Sequence, residues 1–374
     1  MPYQKFYPVS EPDISGNEEK YVLDAVRSGW VSSMGPYIRK FEEDFATYCG
    51  TRFGVATSNG TCALHLALAN LRVGPGDEVI VPSLTFVATA NAVTYTGACP
   101  VFVDCEEETW CMDPIAVQRA LSSKTKAIVV VHLYGHPADM DSIRAIAESH
   151  GIPVIEDAAE AHGALYKGSK VGGLGTIGVF SFYGNKLITT GEGGMLVTDN
   201  DSIVERARFL RDHAMTPDRR YWHSEIGYNY RMTNLQAALG VAQLERIDSF
   251  LDRKREIFGH YSEFLKSSKA LQLNPERDWA KNAFWLTSII LGEHIDRDKT
   301  MIMLRHKGID SRPFFYPLHH LPPYKNRCRT VGKHGEDCPV SEKLASQGMN
   351  LPSGHGLKRA DIQTICEVLL DVIH

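Results

Sequence analysis

The sequence predicts an α/β fold, with a large domain on a mostly parallel central sheet and a small carboxyl-terminal α+β domain. From about residue 50 to 200, Val- and Ile-rich runs that end on small or polar residues alternate with helix-patterned segments. Near-continuous apolar strands separated by helices belong to a parallel sheet buried on both faces. Beyond a long helical stretch the pattern shifts to shorter mixed pieces, and 374 residues exceed a typical single domain. The reading is a large domain over 1–249 and a small one over 250–374.

Taken in chain order, "TCALHLALANL" reads as a helix, "DEVIVPS" and "AIVVVHLYG" as strands, and "MDSIRAIAESHG" as a helix. "IPVIEDAAE", "IGVFSFYG" and "GGMLVTD" follow as strands. A helical stretch beginning at residue 232, "MTNLQAALGVAQLERIDSFLDRKREIFGHYSEFLKSS", carries the chain out of the large domain. After it, "AFWLTSIIL", the helix-like "DKTMIMLRHKG", "IDSRPFF" and the terminal helix "RADIQTICEVLLDVI" make up the small domain.

Composition narrows the function. A net charge of -5 gives no electrostatic reason for a nucleic-acid or anionic-membrane partner. The start, "MPYQKFYPVSEPDISGNEEK", is too polar for a signal peptide, and no apolar run has membrane-spanning length. The 8 cysteines are scattered and read as reduced thiols. No Cys-x-x-Cys pair or Cys/His cluster has zinc spacing, so no metal is expected, and the cytosol is the expected compartment. No G-x-G-x-x-G follows the first strand, which argues against a nicotinamide enzyme.

Three segments carry the candidate chemistry. In "SFYGNKLITTGEGGM", Lys186 stands past a strand end beside Gly191, Gly193 and Gly194; alone it is either a solvated charge or a reactive amine. In "VIEDAAEAHG", Asp157 ends an apolar strand. It either caps the next segment or pairs with a cation, because an unpaired carboxylate there is costly. In "TSNGTCALHLAL", polar residues open a helix, which is either an ordinary cap or a phosphate cup built from free N–H groups. Ser181 can add a hydroxyl to the same phosphate.

Together these supply what pyridoxal phosphate requires: a phosphate cup, a carboxylate for the ring nitrogen, and an amine for the aldehyde. Lys186 is then also the base that moves protons. Phe86, in "PSLTFVATAN", is either a core aromatic or a residue stacking on the ring. His65 and His162 read as packed residues.

These residues resemble a known family. "VIEDAAEAHG", "SFYGNKLITTGEGGM" and "GYNYRMTNLQAA" are similar to motifs of the DegT/DnrJ/EryC1/StrS sugar aminotransferases, and the resemblance covers nearly the whole chain. It implies the aspartate-aminotransferase-like fold (pyridoxal phosphate fold type I) and transfer of an amino group from glutamate to a keto nucleotide sugar. By the family pattern Lys186 holds the cofactor aldehyde and Asp157 the ring nitrogen. Backbone at Gly60, Thr61 and Cys62 holds the phosphate together with Ser181, and Phe86 stacks on the ring. Glu160 lies near the ring hydroxyl, where the family carries Gln, His or Glu. Asn229 reaches the phosphate from the other subunit, so the expected unit is a homodimer with shared sites. Some relatives carry histidine in place of the lysine and are dehydratases; Lys186 favours transamination.

At the substrate end the resemblance points to Tyr316 and His319. Trp30, Ser32 and Ser33 are candidates for the sugar pocket, and Arg219, Arg220 and Arg312 suit a nucleotide diphosphate. "RRYWHSEIGYNYRMTN" and "VHLYG" resemble members that aminate GDP-4-keto-6-deoxymannose. The alternatives are a dTDP- or UDP-linked sugar, a keto-cyclitol, or a cofactor-binding regulator, although the chain has no DNA-binding module.

Overall fold

The computed structural model describes residues 5–335 and 337–374. Helices α1 (Glu18–Ser28) and α2 (Pro36–Cys49) come first. Pro36 suits the first turn of α2, and Gly50, at φ 77, ends it in the left-handed region that glycine adopts without strain. The large unit continues β1 (Phe53–Thr57), α3 (Gly60–Asn70), β2 (Glu78–Pro82), α4 (Ala88–Tyr95), β3 (Cys99–Val103) and α5 (Pro114–Ala120). Then come β4 (Thr125–Val131), α6 (Met140–Ser149), β5 (Val154–Asp157), β6 (Ile177–Ser181), β7 (Gly194–Thr198) and α7 (Asp201–Arg211).

The stretch from residue 232 is not one helix but two, α8 (Asn234–Leu244) and α9 (Ile247–Leu265). Thr233 and Gln236 form a capping box at the start of α8, worth about 1 kcal/mol. The remainder comprises β8 (Leu271–Leu273), β9 (Ser288–Leu291), α10 (Arg297–His306), β10 (Arg312–Pro313), β11 (Thr330–Val331), α11 (Pro339–Gln347), β12 (Gly348–Asn350) and α12 (Arg359–Ile373).

The large sheet has eight strands in the order β1-β7-β6-β5-β4-β2-β3-β11. Every neighbouring pair is parallel except those made by β7, which runs against both β1 and β6. Alternate residues feed two cores: Ile80, Val101, Val103, Ile128 and Val130 pack on one face. Val79, Val81, Phe102, Ala127 and Val129 pack on the other. This two-sided burial is why the strands read as unbroken apolar runs.

Residues 250–374 do more than form the small unit. Their four-stranded antiparallel sheet, β8-β9-β12-β10, has its own core with Ile257, Ile289, Met349 and Ile362, but β11 returns to extend the large sheet beside β3. Among the described residues no helix is long and apolar enough to cross a membrane.

Candidate active site

Because β1 to β6 and β11 run the same way, their carboxyl ends open on one rim, where ligands of α/β sheets gather. Asp157 ends β5, Ser181 ends β6, and the loop between β6 and β7 carries Lys186. The turn after β1 leads into α3, and the loop after β2 carries Phe86.

Two neighbouring carboxylates on β5 have different surroundings. Glu156 is fully buried and saturated: it accepts from the N–H groups of Gly172 (2.7 Å), Leu174 (2.7 Å) and Gly175 (2.6 Å) and lies 3.0 Å from His132 Nε2. Asp157 is nearly as buried, yet it accepts only the Thr89 hydroxyl, at 2.8 Å, and a longer bond from Ala159 N–H, at 3.3 Å. Burial raises its pKa, opposed by those two bonds and by the nearby Lys186. No helix starts after Asp157, so the capping reading gives way to a carboxylate with capacity left for a cation.

Lys186 points back toward Asp157 and Glu160. Its Nζ lies 3.6 Å from Glu160 Oε1 and 3.9 Å from the centroid of the Trp285 ring, and its side chain is 12% exposed. Burial pushes its pKa below the lysine range; Glu160 and Asp157 pull it back up, and Arg312 lowers it further. Glu160 is itself raised by burial and held by Tyr134 N–H at 2.9 Å. Tyr134 makes that bond from the left-handed region, at φ 50, an unfavoured conformation for a bulky side chain and one that packing must enforce. Trp285 Nε1–H donates to Asn185 O at 2.8 Å, which fixes the loop directly before Lys186.

The α3 amino terminus sits against Ser181. A Cβ added to Gly60 would lie 2.8 Å from Ser181 Cβ, so only glycine permits this approach. Asn59 caps the helix by accepting Cys62 N–H at 2.8 Å. The expectation for Cys62 therefore changes, because its N–H is committed to the cap. Among the described residues, no acceptor meets the N–H groups of Gly60 and Thr61. Phe86 is 54% exposed, which removes it from the core; one side meets Phe315, with ring centroids 5.7 Å apart. The donor set thus fits pyridoxal phosphate: two free helix-start N–H groups beside a hydroxyl, a buried carboxylate with spare acceptor capacity, an enclosed amine and an open aromatic face.

The other candidates divide. Asn229 is exposed and accepts from Arg231 at 3.1 and 3.2 Å. Arg219 and Arg220 lie over Trp222 and Tyr221 on an exposed loop rather than with Lys186. Ser33 is half-buried in a loop whose Trp30 and Ser32 carbonyls accept from Asn234, and Tyr316 is exposed. His319 is engaged at both ring nitrogens, with Ser83 Oγ 2.6 Å from Nδ1 and Glu342 3.2 Å from Nε2. His162 packs among Phe45, Phe180 and Phe182, and burial pushes its pKa down to about 3. His65 bonds Tyr230. Both histidines are packed, as the sequence suggested.

Thr89, Trp285 and Tyr134 were missed as site residues. Thr89 had a signal, since it lies three residues past Phe86 on the helix that follows the same strand end. Trp285 had none, because its contact with the Lys186 loop spans 100 residues.

Comparison with known proteins gives the family. A model of the DegT/DnrJ/EryC1/StrS aminotransferase family matches residues 12–370. GDP-perosamine synthase of Caulobacter vibrioides is 45% identical over 368 residues, 98% of each chain. GDP-perosamine synthase of Escherichia coli O157:H7 is 45% identical over 363 residues, 97% of each chain. The solved structure of DesI in the presence of its TDP-sugar product matches with a TM-score of 0.91 at 31% identity, covering 100% of this chain and 94% of that one.

Proposed function

This chain belongs to the DegT/DnrJ/EryC1/StrS aminotransferase family, and from that premise we propose that it transfers the amino group of glutamate to C4 of GDP-4-keto-6-deoxy-D-mannose, giving GDP-perosamine. It is a pyridoxal phosphate-dependent transaminase. The sugar assignment rests on 45% identity, over nearly full length, to two proteins named for that product. The reading of the site rests on the convergence of Lys186, Asp157 and the junction of α3 with Ser181.

When bound, pyridoxal phosphate supplies an aldehyde that carries nitrogen and a ring that takes up the electrons left when a carbon loses its proton. Lys186 Nζ is the amine for the aldehyde and the group that moves protons. Its lowered pKa raises the share of neutral amine available as a base near neutral pH. Asp157 presents a carboxylate to the ring nitrogen; Thr89 holds one of its oxygens and so fixes its aim. The N–H groups of Gly60 and Thr61 and the Ser181 hydroxyl would hold the phosphate, and Phe86 would cover the ring. Glu160 faces Lys186, where it would balance charge as Nζ gains and loses its proton and would lie toward the ring hydroxyl of the bound cofactor. At the substrate end, Ser33, Arg219 and Tyr316 remain the candidates for sugar and nucleotide, whereas both ring nitrogens of His319 are engaged within the chain.

The site is read as shared in a homodimer. Asn229 follows a loop that exposes Tyr221 (74%), Trp222 (51%) and Ile226 (88%), an apolar surface suited to a second copy. Co-expressed Lys186→Ala and Asn229→Ala chains are then expected to regain activity, because a mixed dimer holds one intact site. Failure to exceed the sum of the separate variants counts against sharing.

The assignment is tested by incubating the purified protein with glutamate and GDP-, dTDP- or UDP-linked 4-keto-6-deoxy sugars, with the amine identified by mass spectrometry. Amination of the GDP-linked mannose derivative at the highest kcat/KM is the expected result. A dTDP-linked preference moves the chain toward the chemistry of the DesI structure, and no amination with any sugar favours a regulator.

A further inference from the structure

Apart from the cofactor-binding groups, three side chains converge where the turn Leu318–His320 meets α11. His319 Nε2 lies 3.2 Å from Glu342 Oε1, and His320 Nε2 lies 3.1 Å from the same oxygen. The two imidazole rings are crossed at 61°, with centroids 4.2 Å apart. All the ligand atoms lie within 4.8 Å of one another, the one such group among the described residues. We propose that His319, His320 and Glu342 bind a divalent transition-metal ion, Zn²⁺ foremost, with a fourth position left to water.

The spacing supports it. Tetrahedral zinc with bonds of about 2.0–2.1 Å sets its ligand atoms roughly 3.3 Å apart, close to the two separations to Glu342 Oε1, and side-chain rotation within the present backbone would bring the two imidazoles to the same spacing. The chemistry agrees: two imidazoles and one carboxylate suit zinc, whereas magnesium and calcium prefer oxygen alone. An outer partner is also in place. Ser83 is fully buried just past β2, and its Oγ lies 2.6 Å from His319 Nδ1. When Nδ1–H donates to that oxygen, Nε2 keeps the lone pair a metal needs, the usual way a ligand histidine is oriented. No zinc spacing announces this site in the sequence, because Glu342 is 23 residues from His319. An ion here would brace the turn that follows Tyr316 against α11, and the proposal is independent of which sugar is aminated.

The test uses full-length, cofactor-loaded protein without a polyhistidine tag, stripped with chelator and desalted. Zn²⁺ alone is titrated by calorimetry, and the metal retained after gel filtration is measured by mass spectrometry. His320→Ala and Glu342→Gln are run alongside; both side chains are about half exposed (52% and 46%), so the core is left intact, and circular dichroism checks the fold. The expected result is one Zn²⁺ per chain in the parent, with at least tenfold weaker binding in each variant. Co²⁺ in place of Zn²⁺ should give a four-coordinate absorption spectrum in the parent only. A parent that retains no zinc overturns the proposal, as do variants that bind zinc as tightly or give the same cobalt spectrum.

Discussion

Lys186, at the strand-end rim, and Lys254, on α9, are both withdrawn from solvent, and burial pushes both below the lysine range, Lys254 to about 7. Their partners differ. Lys186 faces Glu160 and the Trp285 ring with a trace of exposure left. Lys254 is 2% exposed, and its Nζ donates to the Ser353 carbonyl at 2.6 Å. Among the described residues no carboxylate offsets its burial. A shifted lysine is therefore not by itself a reactive one. What separates the two is where the strands end: at the rim, Asp157 and Glu160 from the end of β5 face an amine that keeps a trace of exposure, whereas on α9 a carbonyl closes off the charge.

The contrast breaks most sharply at Lys186. Lys186→Ala should lower glutamate-to-sugar turnover by at least about a thousandfold, followed as product amine by mass spectrometry, while Lys254→Met retains most of the parent rate. Equal turnover in the parent and the alanine variant would end the comparison. Asp157→Asn keeps the shape but removes the charge, and a drop of about 10- to 100-fold is expected. That drop belongs in kcat, with cofactor retention checked by absorbance, and a change confined to KM would point elsewhere.

Lys254 should register in stability instead. The unfolded side chain titrates near 10.5 and the folded one at about 7. Between those values only the unfolded chain holds the proton, so stability rises with pH across the window and the penalty is fully present below it. Lys254→Met should remove a pH-dependent difference of about 5 kcal/mol over the whole window, about 3 kcal/mol of it between about pH 6 and about pH 9. Urea midpoints compared at about pH 6 and about pH 9 should converge in the variant; parallel shifts in both proteins would contradict this. The smallest effect is expected from Thr89→Val, a loss of about fivefold in kcat from one hydrogen bond, with Thr89→Ser restoring it.

Much of this was legible in the sequence because it is local or periodic. The strands announce themselves as Val/Ile runs, and Asp157, Ser181 and Lys186 lie at or just past their ends. What stayed hidden depends on contacts between distant segments. Thr89 meets Asp157 across 68 residues, and His319 meets Glu342 across 23. The break between α8 and α9 was missed because Glu245 and Arg246 carry no turn residue. Lys254, within "LDRKREIF", reads as part of a charged helix face, and only the packing of Ser353 against α9 shows it to be buried.

The last strand of the large sheet, β11, is supplied by Thr330–Val331, more than 220 residues after the β3 strand it covers. During synthesis β3 therefore waits at an open edge until most of the protein has left the ribosome, exposed to strand addition by neighbours. Chains ending before residue 330 would keep that edge bare, and aggregation, more than lost chemistry, should mark such truncations.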